Sequence, residues 1–205
     1  MEPGPVRCAE REGRVMASKV GTLQGHAMVL QIALCDIAPL IHRVVVVPST
    51  ITLPKLHVTI LRAMGWSGGH LHEFVIDGIH YGEPDPLYPE PDLKSEQRIR
   101  LNKALGGGKD FGYLYDYGDS WWHAITVLAE LPLQGRMSYP QCLDGANACP
   151  PEDVGGVPGY EDFLAAMADP KHTQHAHLRD WYGGPFDPKA FSLEDTAERL
   201  REIHL

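Results

Sequence analysis

Basic side chains are scarce here: 18 Lys and Arg stand against 27 Asp and Glu, leaving a net charge of -9. Broad, sequence-independent nucleic-acid binding requires a basic surface that displaces counterions, so that class is disfavoured. Four cysteines (Cys8, Cys35, Cys142, Cys149) are too few for a disulfide scaffold in 205 residues. No apolar run is long enough to span a bilayer, and the N-terminal stretch lacks the apolar core of a secretory signal. A cytoplasmic setting with no membrane partner is the expectation. Also missing are a P-loop, a dinucleotide-binding glycine fingerprint and a G-x-S-x-G elbow. Gly106–Gly108 precedes an expected strand and not a helix start, which makes it a poor phosphate cradle.

What is present reads as one domain. Residues 1–26 are expected to form an N-terminal extension, and 27–205 a single folded unit. Met28–Cys35 and Arg43–Val47 are short β-rich runs joined by a turn-prone Asp36–Pro39. Thr52 then precedes Leu53, Leu56, Ile60, Leu61 and Met64 at helical spacing, and Gly65 supplies a stop. Strands are expected at His70–Ile76, Ile79–Tyr81, Phe111–Tyr117 and Trp121–Glu130, the last two joined by a tight turn at Gly118-Asp119. Ser95–Leu105 reads as a helix. Tyr139–Phe163, dense in proline and glycine, reads as a specified loop. Further helices follow at Tyr160–Ala168, Lys171–Trp181 and Ser192–Ile203, the last with Ser192 and Asp195 in an approximate capping box. The fold class is therefore α+β: a mixed, mostly antiparallel sheet, an early amphipathic helix in β-β-α-β order, and a helical C-terminal part.

Three constellations carry possible chemistry. His70 and His72 sit two apart in an expected strand and so share a face. With His123 from another strand and Asp116 or Asp119 beside the turn, they form a candidate site for Zn or Mn in which an aspartate handles water. Core histidines bonded to backbone carbonyls are the bland counterpart, and aspartates beside a glycine have a turn role of their own. Cys142 and Cys149, with Asp153 or a histidine of Lys171–His177, are a candidate structural zinc site. Two reduced, packed cysteines are the simpler reading. Of His172, His175 and His177, the first two share a helix face. Tyr113, Tyr115, Tyr117, Trp121 and Trp122 are a candidate stacking or peptide-binding surface, against an ordinary role in sheet packing.

Six ordered blocks add a resemblance: Arg43–Ser49, Ala63–Phe74, Tyr115–His123, Tyr139–Gly156, Gly159–Phe163 and Phe186–Phe191. Together they resemble the plasmid pRiA4b ORF-3-like family, also labelled as resolvase-like passengers of insertion elements. That resemblance implies a cytoplasmic binding or accessory module in mobile-element biology, with a protein or nucleic acid as partner. A metal-dependent hydrolase or nuclease is the alternative. Relatives often carry a third cysteine in the CPPED-x-GG block where this chain has Val154, so any cysteine metal site of the family would lack one ligand here.

Overall fold

The computed structural model describes residues 25–84, 87, 90–133 and 135–205. The expected extension lies outside the described residues except at its end, where the first strand already begins at Gly25. Among the described residues eight strands run β1 (Gly25–Leu34), β2 (His42–Pro48), β3 (His72–Ile76), β4 (Ile79–Gly82), β5 (Leu93–Ser95), β6 (Asp110–Tyr115), β7 (Trp121–Leu133) and β8 (Gln141–Ala146). Among the described residues five helices accompany them: α1 (Leu53–Met64), α2 (Leu101–Leu105), α3 (Gly156–Ala168), α4 (His175–Tyr182) and α5 (Leu193–Arg201). The strands form one sheet in the order β5-β4-β3-β6-β7-β1-β2-β8, antiparallel throughout except for the β4–β5 pair. This is the expected α+β class. Among the described residues no helix is long and apolar enough to cross a membrane.

The alternation of β1 and β2 turns one face of each inward: Leu30, Ile32, Leu34, Val45 and Val47 are all buried in the main core. Helix α1 adds its stripe of Leu53, Leu56, Ile60, Leu61 and Met64 to the same core. Gly65 ends it in the left-handed region at φ 100°, with its N–H on the Leu61 carbonyl. Thr52 occupies the N-cap position without a side-chain cap bond; the Leu53 N–H donates to the Ile99 carbonyl instead. At α5 the cap is as expected, with Ser192 Oγ accepting from the Asp195 N–H at 3.1 Å.

Four expectations need correction. Within Ser95–Leu105 only Leu101–Leu105 is helical, because the stretch before it is tied to Gly82 and Thr52 by backbone pairing. The Tyr139–Phe163 segment is not all loop. Its first part forms β8, an edge strand paired only with β2, where proline-rich neighbours are tolerated, and α3 begins at Gly156. Strand β3 starts at His72, so His70 and Leu71 belong to the preceding loop. Helix α4 starts at His175, which leaves His172 in the turn before it.

Candidate metal centre

Three loops meet at one end of the sheet: the residues before β3, the β6–β7 turn, and the segment between β8 and α3. Their backbones share an unusual conformation. Asp116, Ser120 and Asp153 all have φ near 60°, and Gly68, Gly69, Gly155 and Gly156 also have positive φ. Gly156 permits no side chain, since a Cβ there would stand 2.6 Å from the Asp119 carbonyl oxygen.

Glu152 clamps these loops together. It accepts from the Ser67 N–H at 2.9 Å, from the Gly68 N–H at 3.2 Å and from the Tyr115 hydroxyl at 2.7 Å, and the Ser67 hydroxyl donates to it as well. Burial alone would push its carboxyl upward, but the donors together hold it below its ordinary value. Trp66, whose indole N–H donates to the Pro150 carbonyl at 2.9 Å, seals the underside. The Asp119 carboxylate accepts the Gly155 N–H at 3.1 Å, bracing the same loop.

Within this frame the His70 ring stands between two carboxylates. Its Nδ1 faces Asp116 Oδ2 at 3.5 Å, and its Nε2 faces Asp153 Oδ1 at 3.4 Å. The other Asp116 oxygen accepts the Gly118 N–H at 2.9 Å, so the turn itself fixes that carboxylate. One ligand atom from each of His70, Asp116 and Asp153 lies within 4.8 Å of the others. In a carboxylate–imidazole–metal relay Asp116 would orient the ring through Nδ1, and Nε2 and Asp153 would be the atoms to hold an ion. The Asp153 side chain is 71% exposed, so the ion side opens outward. It opens onto a groove of about 530 Å³ whose walls carry Asp162, Phe163, His172, His177 and Trp181.

The other expected site residues divide cleanly. His72 does not join His70: the strand starts between them, and His72 turns into the core. There its Nε2 bonds Glu96 at 3.1 Å, and its ring stacks on His57 with centroids 3.5 Å apart. His123 is 1% exposed, with Nδ1 on the Tyr113 carbonyl and Nε2 without a partner; burial lowers its pKa to about 4. It sits edge-on to Trp66 inside the core, out of reach of substrate. Asp119 braces a loop, as described. Tyr113, Tyr115 and Trp121 are buried, so the expected aromatic platform reduces to Tyr117 and Trp122, 37% and 39% exposed. Alternation in the strands sends the remaining rings inward.

Cys142 and Cys149 join no group of three metal-ligating side chains among the described residues. Burial raises both thiols, Cys149 to about 12. Asp153 belongs with His70 and not with the cysteines. Of the C-terminal histidines, His172 and His177 line the groove, whereas His175 bonds the Ala166 carbonyl at 2.8 Å. The pairing of His172 with His175 fails because the turn before α4 breaks helical spacing.

Comparison with known proteins agrees with the fold and the resemblance. The chain is 40% identical over 177 residues to the uncharacterized protein y4hQ of Sinorhizobium fredii, covering 85% of this chain and 90% of that one. A crystal structure of a protein of unknown function, MM3350 from Methanosarcina mazei Go1, superposes with a TM-score of 0.74 at 32% identity, covering 84% of this chain and 98% of that one. The model of the plasmid pRiA4b ORF-3-like protein matches residues 26–195, and the chain belongs to that family.

Proposed function

We propose that the protein is a divalent-cation-dependent hydrolase acting in the cytoplasm. The observation that carries this reading is the convergence of His70, Asp116 and Asp153, the last of which also lines the groove. A mixed imidazole and carboxylate set suits Zn or Mn. His70 and Asp153 would hold the ion with positions left for water and substrate, and the chemistry it would supply is activation of a bound water near neutral pH. Exposed His172 and His177 on the adjoining groove wall would contact substrate. With a net charge of -9 and no basic run, a compact ester fits better than a nucleic-acid chain. The accessory-module reading, linked to mobile-element biology by the family resemblance, needs surface rings that are largely in the core, so it draws less support.

The test is calorimetric titration of the metal-free protein with Zn and Mn, together with turnover of an activated phosphodiester with and without chelator. Wild type should bind near one ion. His70→Ala and Asp153→Asn should weaken binding by about tenfold or more, while His72→Ala leaves it unchanged. Absence of binding in the wild type, or binding indifferent to His70→Ala, sinks the proposal.

A further inference from the structure

A second pocket, of about 500 Å³, shares no lining residue with the metal centre and lies between the β2–β8 edge, the end of α1 and the start of α5. Two guanidinium groups reach its wall, those of Arg43 and Arg199. Arg43 is 3% exposed, yet its charge meets only neutral acceptors: the carbonyls of Ala63, His42, Ala146 and Asn147, at 2.7–3.0 Å. Arg199 donates from Nε to the Arg62 carbonyl and from Nη2 to Thr196 Oγ1. Among the described residues neither has a carboxylate within ion-pairing distance, and Asp195, which also lines the pocket, is exposed in the first turn of α5.

Two unneutralised cations in one recess of an acidic protein repel each other, and buried charge without a counter-ion is costly. Arg199 keeps its Nη1 donors and one Nη2 donor free, and Arg43 keeps one on Nη2. Ser192, Asp195, Thr196 and Tyr182 add polar groups to the lining, and the remainder is mostly apolar. Phe191 lies under the Arg43 guanidinium at 4.6 Å, and Phe186, Pro150 and Met64 complete a greasy floor. Cys149 also lines it, but burial lifts its thiol to about 12, so it is neutral and is not a nucleophile.

We infer that this pocket binds a small organic oxyanion, a carboxylate or phosphate carried on a flat apolar body, with Arg199 as its main contact and Arg43 as the fixed charge behind it. The anion supplies a counter-charge within ion-pairing distance, which neither arginine has among the described residues, and its apolar body covers Phe186 and Phe191.

The test is calorimetric titration with phenyl phosphate and with benzoate, using benzyl alcohol as the neutral control. At least one anion should bind at millimolar concentration or below, about tenfold or more tighter than the alcohol. Arg199→Gln should cost about tenfold, and Arg199→Lys should restore part of the loss. A melting curve on each variant separates lost binding from a lost fold. Because none of His70, Asp116 and Asp153 lines the pocket, binding should survive His70→Ala. Failure of both anions to bind, equal binding of the alcohol, or indifference to Arg199→Gln overturns the inference.

Discussion

Two histidine–carboxylate clusters lie within a few residues of each other in sequence, and the fold gives them opposite environments. His70 with Asp116 and Asp153 sits in loops at the sheet end, opens onto a groove and has a ring nitrogen directed at an exposed carboxylate. His72 with Glu96 and His57 sits inside, where both members of the pair are under 10% exposed and the stacked rings leave no room for a ligand. The residue types are the same. Solvent access and loop placement decide which cluster can do chemistry and which one stabilises the fold.

The comparison breaks most visibly at Glu96. Glu96→Ala leaves the buried His72 ring without its partner and should cost about 3–5 kcal/mol, measured by denaturant unfolding, with metal affinity unchanged in whatever fraction stays folded. A metal effect as large as the stability effect would mean that the two clusters are one unit. Next in size is the response to acid. Burial, aided for His57 by the neighbouring His72, lowers His57 to about 3, and burial lowers His123 to about 4. Both are neutral in the fold but take a proton near pH 6.5 when unfolded. Between pH 6.5 and about 4 the unfolded chain therefore binds more protons, and stability falls as pH falls. The combined loss is on the order of a few kcal/mol. His123→Leu should flatten part of that slope in a melting series. At pH 7 it should cost about 1 kcal/mol, because the Nδ1 bond to the Tyr113 carbonyl is lost while the unpartnered Nε2 loses nothing.

The hairpin β1–β2 and helix α1 were legible because short-range patterns specify them: β-branched runs, a helical stripe, a glycine stop. Asp116 and His70 were legible as candidates, since a turn aspartate and two histidines spaced two apart stand out locally. The false partnership of His70 with His72 came from the start of β3. A two-residue change in where a strand begins removes the shared face on which the pairing depended. Glu96 gave no signal, because it reads as one more charge in a polar stretch, and only the path of the chain beside β4 buries it. Glu152 was equally hidden: its donors at Ser67 lie 85 residues away, a pairing that no spacing rule contains. The plane of aromatics was misread because their types were visible and their burial was not.

Gly156 sharpens the comparison from the loop side. At φ 67°, with the Asp119 carbonyl 2.6 Å from any added Cβ, Gly156→Ala should cost about 1–3 kcal/mol. The displaced loop carries Asp153 with it, so metal affinity should drop alongside stability, whereas Glu96→Ala touches stability alone. Calorimetry on the folded variant distinguishes the two.

The smallest structural effect belongs to Asp153→Asn, and it is the most discriminating. The side chain is exposed and its contact is with the His70 ring, so unfolding free energy should stay within about 0.5 kcal/mol of wild type. Metal affinity should nonetheless fall by about tenfold or more, because the amide is a poor ligand where the carboxylate shared the ion. A surface ion pair with no metal role would give the first result without the second. Observing only that outcome would reduce the exposed cluster to a solvated His–Asp contact and remove the functional contrast between the two clusters.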